Sequence, residues 1–257
     1  MSDKTNTKLE KRLMFLLGMS LFVYLILRSV YSPILHDEIA TFYHYIQPGI
    51  YFPPEAHWDA NNHILNSLLT DWSYQLFGSQ PWALRLPNVL SFLLFFWVTC
   101  KIACKLQNVF LRWGFLLALT MSHYMFEYFG ETRGYGLSMA FLLWGIYLLI
   151  RYLKNSHYWY LAGALVGLLL ATSANLTLIN SCLVISLVIV LSILVNRRLV
   201  IQLKLAHLIT VFVWFALLYP LINFAFELKE RGALYYGGKS GFWDYTGGTL
   251  AQLYLGH

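Results

Sequence analysis

Between residues 13 and 224 the chain passes through seven long apolar runs, and this repetition constrains its fold more than any other feature. The runs are 13–30, 81–100, 113–129, 134–150, 158–174, 176–195 and 205–224. Each approaches the roughly 20 residues a helix needs to cross the hydrocarbon core of a bilayer. Backbone groups in lipid are satisfied only in helices or closed barrels, and unbroken Leu, Ile, Val and Phe runs lack the alternation of barrel strands. Hydrophobic residues make up 58% of the 257 and charged residues 12%, too little polar surface to coat a soluble globule. The expectation is an all-α integral membrane protein with about seven transmembrane helices.

Threading the chain through these runs sorts its charges. One side receives Lys4, Lys8, Lys11, Arg12, Lys101, Lys105, Arg112, Arg151, Lys154, Arg197, Arg198 and Lys204, twelve of eighteen basic residues. The other receives Asp37, Glu38, Glu55, Asp59, Asp71, Glu127, Glu131, Glu227, Glu230 and Asp244, ten of twelve acids. By the positive-inside rule the basic side is cytoplasmic, so the N-terminus lies inside and His257 outside. The net charge of +6 is then a topology signal, and no nucleic-acid partner is inferred from it. Residues 1–12 form a cytoplasmic tail and 13–257 a transmembrane domain with a first outer loop at 32–80 and an outer segment at 225–257. Basic residues precede the first run, as in a signal peptide, but no small-x-small cleavage site follows and the run is long, so it is a retained helix. Cys100, Cys104 and Cys182 match no disulfide framework or zinc spacing.

Connections on the basic side are short, whereas the loop at 32–80 is long and holds five acids, the arrangement of a functional loop. Within it, "NNHILNSLLTDWSYQLFG" has Leu65, Leu68, Leu69, Trp72 and Leu76 on one helical face and His63, Asn66, Ser67, Thr70 and Tyr74 on the other. This predicts a helix lying flat in the interface, capped by Asp59 or Asn61 and stopped by Gly78, with its polar face as a floor beside Asp37.

"SPILHDEIATFYHY" sets Asp37 and Glu38 at the exit of the first run. They are either a solvated loop start that helps fix topology or working groups: one carboxylate as general base toward a hydroxyl or amine, its neighbour positioning the acceptor. Side by side in an extended segment they would point apart and take one role each. Arg85 and Arg133 lie on the same side, against the overall charge trend. A guanidinium at a membrane mouth suits phosphate, and the alternative pairs Arg85 with Asp71 or Glu55 and Arg133 with Glu131 or Glu127. His63 and Asn66 are candidates to hydrogen-bond a sugar or acceptor. A divalent cation site can be drawn from Glu55, His57, Asp59 and His63, but the spacing matches no ligand pattern, and no metal is assigned. The loop aromatics read as an interfacial belt.

The order basic tail, first helix, "HDE", "NNHILNSLL", "LFGSQPWALRLPNVLSF" and "ETRGYGLSMAF" resembles the GT-C glycosyltransferases of the protein O-mannosyltransferase and aminoarabinose transferase superfamily, in particular the RgtA/B/C/D-like branch. The motifs cover residues 13–154. Many relatives place proline after the histidine that corresponds to His63 and after the arginine that corresponds to Arg133, where this chain has Ile64 and Gly134. Relatives also continue through further helices, so the chain to His257 reads as the N-terminal part of a longer fold. The resemblance implies transfer of a sugar from a polyprenyl-phosphate donor to a lipid, glycan or protein acceptor on the outer side of an inner or plasma membrane. It implies Asp37 as base, Glu38 as its acceptor-side partner, Arg85 and Arg133 near the donor phosphate, an inverting displacement and no obligatory cofactor. Two other readings stand beside it: a transporter or flippase of lipid-linked sugars, and an inactive membrane subunit.

Overall fold

The structure, a computed structural model, describes residues 2–196 and 199–233, with side chains from residue 8 onward apart from that of His123. Arg197, Arg198, Asp244 and most of the outer segment at 225–257 therefore lie outside the described residues. Within them the regular structure is all helical, with no strand.

The first helix, α1, spans Ser2–Tyr31, so the stretch expected as a tail belongs to the same helix as the first apolar run. A short α2 (His36–Thr41) continues into one π-helical turn, Phe42–Ile46. The irregular segment 47–63 then leads into α3 (Ile64–Phe77), followed by α4 (Pro81–Ala103), α5 (Val109–Thr120) and α6 (His123–Glu127). The remainder is α7 (Tyr135–Asn155), α8 (Tyr158–Ala174), α9 (Ile179–Val195) and α10 (Ile201–Glu230).

All seven apolar runs are helical, and five of the resulting helices are long and apolar enough to cross a membrane: Lys8–Tyr31, Pro81–Ala103, Tyr135–Asn155, Leu176–Val195 and Ile201–Glu230. The other two runs differ from simple spans. The run at 113–129 is broken where Ser122 takes an extended conformation (ψ 112°), so that Val109–Thr120 and Tyr124–Gly130 meet at 56° and together make a sixth candidate. The run at 158–174 is a helix of 17 residues, shorter than the other candidates. Only 22% of the most apolar window in Lys8–Tyr31 and in Leu176–Val195 is buried, and Phe15, Leu16, Val184, Val195 and Phe212 stand exposed. Apolar helices that leave their surface uncovered are built for lipid, and the chain is a multi-pass membrane protein.

Packing between helices uses small residues, as expected where apolar burial gives no preference for protein over lipid. At the α7–α8 crossing a Cβ on Gly167 would sit 2.9 Å from the Cα of Gly145 and 3.0 Å from the carbonyl of Phe141. Leu161, Ala164, Leu165 and Leu168 of α8 join Cys182, Ile189, Trp214 and Leu218 in one buried cluster, while Phe92, Phe95 and Phe129 form a second with Leu25 and Ala140.

Amphipathic α3 is present where the stripe predicted it, ending at Gly78 (φ 80°), with His63 at the cap position before its first turn in place of Asp59 or Asn61. Its orientation is the reverse of that in a soluble protein. Asn66, Ser67, Thr70 and Ser73 are buried, and Trp72 and Leu76 are 55% and 75% exposed. Pro87 explains part of this inversion. Lacking an N–H, it leaves the carbonyl of Ala83 without its helical donor, and the Ser73 hydroxyl donates to that carbonyl at 2.6 Å. Thr70 donates similarly to Leu84 O at 3.3 Å. The polar face thus docks on α4, and only the residue that caps its start, His63, reaches the space beside Asp37.

Charged contacts segregate to opposite ends of the bundle. At one end Arg112 pairs with Glu10 at 2.5 Å, Lys105 lies over the Tyr147 ring and Arg151 donates to Tyr160. At the other end Arg28, in the last turn of α1, meets Glu127 at 3.1 Å and Glu131 at 3.6 Å. That acid-rich end carries the candidate site.

Candidate active site

Asp37 and Glu38 occupy the first turn of α2, not an extended segment, and helical geometry sends neighbouring side chains in different directions. Acids in this turn also complement the exposed amides of the helix start. Glu38, 2% exposed, turns inward and reaches back to accept the Leu35 N–H at 2.9 Å, the reciprocal half of a capping box. Asp37 turns outward, its side chain 42% exposed.

The inward acid meets Arg85, itself 1% exposed, which projects from the first turns of α4. Arg85 Nε and Nη2 donate to the two carboxylate oxygens at 2.8 and 2.6 Å, a bidentate fork. The remaining N–H groups go to the carbonyls of Ser29, Ser32 and Pro33 at 3.2, 3.0 and 2.8 Å. All five guanidinium donors are thereby committed. Glu38 completes its set by accepting the Thr132 N–H at 2.7 Å. Burial alone would raise the Glu38 carboxyl; the Arg85 fork and the two backbone N–H groups outweigh it and hold the carboxyl below its ordinary value. In this geometry Arg85 has no N–H left for a donor phosphate and Glu38 has no face toward an acceptor. Both expectations give way to an internal clamp that neither Asp71 nor Glu55 shares.

Arg133 stands differently. It pairs with Asp37, Nη1 to Oδ2 at 2.6 Å, rather than with Glu127 or Glu131. Its Nη2 donates to Asn61 Oδ1 at 3.2 Å and to the Tyr135 hydroxyl at 3.3 Å, its Cζ lies 4.9 Å from the centroid of the Tyr135 ring, and its Nε has no protein partner. Asn61 in turn donates to Asp37 O and Thr41 Oγ1 at 3.3 and 3.2 Å, tying the loop to α2. The pair lies on the wall of a cavity of about 850 Å³ that also touches His44, Tyr45, Asp59, His63 and, from α10, Ala225 and Leu228. This volume is in the range of small-molecule sites.

His63 is 5% exposed, and its Nδ1 lies 2.8 Å from the carbonyl of Ala174 at the end of α8. A carbonyl only accepts, so Nδ1 carries the proton and Nε2 is left as an acceptor. Burial, with Arg133 adding to it, lowers the imidazole pKa to about 4, so it is neutral at ordinary pH. Gly134 makes this contact possible, because a Cβ there would collide with Ala174 O and come within 2.9 Å of His63 Cβ. Asn66 is elsewhere: fully buried, it accepts from Asn88 Nδ2 at 2.6 Å while Asn88 Oδ1 accepts the Leu137 N–H, locking α3, α4 and α7.

Of the six predicted residues, Asp37, Arg133 and His63 share the cavity, Glu38 and Arg85 form the clamp beside it, and Asn66 is a packing pin. Among the described residues, no group of three or more His, Cys, Asp or Glu side chains is placed to hold a metal ion. His57 stacks on His44 at 4.3 Å instead of converging with His63. Sequence reasoning missed Asn61 and Tyr135, both in quoted motifs, and Ala174, whose carbonyl has no sequence signature. Comparison with protein-family models, curated proteins and solved structures returns no match.

Proposed function

We propose that the chain is a GT-C-type glycosyltransferase of the membrane, moving a sugar from a polyprenyl-phosphate donor to an acceptor hydroxyl on the outer face. The bundle crosses about seven times in this reading, with the N-terminus cytoplasmic and the acid-rich end outside. The observation that carries it is the pairing of a half-exposed carboxylate, Asp37, with a permanently charged guanidinium, Arg133, on the wall of one cavity at that end.

The chemistry uses these groups separately. Arg133 exchanges Asp37 for the donor phosphate, and the freed Asp37 carboxylate takes the proton of the acceptor hydroxyl. The acceptor oxygen forms a bond to the anomeric carbon as the bond from that carbon to the phosphate oxygen breaks. The electron pair leaves on polyprenyl phosphate, whose charge Arg133 stabilises. A single base opposite the leaving group gives inversion. Acceptors are a lipid, glycan or protein; the chain lies in an inner or plasma membrane.

The test is to incubate membranes containing the protein with a panel of radiolabelled polyprenyl-phosphate sugars. One label leaves its lipid for an acceptor with the wild-type protein, and none does with Asp37→Asn. Label transfer equal to wild type with Asp37→Asn overturns the reading.

A further inference from the structure

Three segments distant in sequence must agree for Asp37 and Arg133 to meet: the 29–38 stretch that ends α1 and begins α2, the first turns of α4, and the turn at 131–134. One buried carboxylate touches all three. Glu38 is next to Asp37 in the chain and caps its helix through Leu35 N; it holds α4 through Arg85 and the second turn through Thr132 N, one residue before Arg133. Arg85 then fixes the approach to α2: its donors reach three carbonyls of one short stretch, Ser29 in the last turn of α1 and Ser32 and Pro33 just beyond it. A planar fork with every N–H used is stiffer than an exposed ion pair, whose long side chains are free to separate.

We propose that Glu38 and Arg85 are positioning residues, a buried crosspiece that sets the distance between Asp37 and Arg133 and so the readiness of the pair for exchange. Neither touches the cavity; they act through the two residues that do. This deepens the transfer reading and rests on it for its consequence in turnover, but the crosspiece itself is testable without any transfer.

The test uses a thiol placed at position 37 by Asp37→Cys, in a background with Cys100, Cys104 and Cys182 changed to Ala and His36 to Gln, since the His36 Nδ1 lies 3.6 Å from Asp37 Oδ1. Beside Arg133 such a thiol ionises below its ordinary value of about 8.5, and its alkylation rate against pH reads the proximity of the guanidinium. Adding Arg133→Gln returns the midpoint to the ordinary value and calibrates the reporter. Adding Glu38→Gln leaves Arg85 buried and unpaired, so the double change Glu38→Gln/Arg85→Gln, which removes both charges, is measured beside it. The expectation is a midpoint within about half a pH unit of the Arg133→Gln value in the double variant, with the protein still monodisperse in detergent. A midpoint unchanged by the double variant overturns the proposal, as does failure of the double variant to fold, which would make the pair a general folding element. With Asp37 native, the double variant lowers kcat for sugar release at least about tenfold while KM for the donor stays within about threefold, and Glu38→Asp with Arg85 native lowers kcat as well because its carboxylate is one methylene short. A midpoint that moves as expected in a protein that transfers no sugar sinks the transfer reading and leaves the crosspiece standing.

Discussion

At the residue scale, neighbours with similar chemistry have different work because the helix start faces them apart. Asp37 meets Arg133 across a cavity wall, whereas Glu38 is sealed against Arg85. The two arginines, alike in sequence, are separated by the same fact: one has spent every donor on its own protein and the other holds a partner it can exchange. Arg133→Gln is therefore expected to weaken donor binding about tenfold to a hundredfold, the worth of a charge-assisted hydrogen bond, as read by retention of labelled polyprenyl-phosphate sugar on the purified protein. His63 supplies a pH test. Its folded pKa, about 4, lies below the unfolded 6.5, so the unfolded chain takes up the proton first. Stability is complete above about 6.5 and falls with pH between that value and about 4, by up to roughly 3 kcal/mol. His63→Gln should flatten the fall of the thermal midpoint in detergent across that window. The sequence marked Asp37, Arg133 and His63 as residues on one side of the membrane, yet it held no sign that Nδ1 of His63 would end on the carbonyl of Ala174, 111 positions away. Backbone acceptors carry no residue code.

At the element scale, α3 was legible as a helix from its stripe, and its exposed Trp72 and Leu76 fit an interfacial position. What the stripe could not say is which face the protein takes. The polar face turns inward in part because α4 begins with a proline-interrupted turn whose Ala83 carbonyl takes its donor, Ser73, from outside the helix. Ser73→Ala should cost about 1–2 kcal/mol in detergent stability, and less in a Pro87→Ala background where the helix supplies its own N–H. An equal cost in both backgrounds would contradict this account of the inversion. Gly134 presents a similar case. It is the one residue type whose missing Cβ lets the end of α8 approach the start of α3. Gly134→Ala should lower the thermal midpoint by an amount corresponding to about 1–3 kcal/mol, the usual cost of overpacking.

At the scale of the whole molecule, composition alone required lipid, and the five long apolar helices with uncovered surfaces agree with it. The seven apolar runs became seven helical stretches, but length alone licenses fewer crossings, because one run bends by 56° and another stops at 17 residues. Hydropathy counts apolar residues and is blind to a break such as that at Ser122, which lets the following turn bring Glu127 and Glu131 to Arg28. Topology is checked by single thiols in a cysteine-free background. With the acid-rich end outside, Ser79→Cys reacts with a membrane-impermeant reagent in intact cells, and Gln107→Cys and Asn155→Cys react only after permeabilisation. The reverse pattern would move the cavity to the cytoplasmic side and remove the basis for an outward-facing transferase.

The most direct measurement of the central claim is turnover at saturating donor with Asp37→Asn. A general base contributes about a hundredfold or more to such a step, so the variant should retain the labelled polyprenyl-phosphate sugar as tightly as wild type or more tightly, Arg133 having lost its competing partner, while releasing label at least about a hundredfold more slowly. Release at the wild-type rate, with donor bound equally well, would contradict the assignment of Asp37 as base and with it the proposed transfer.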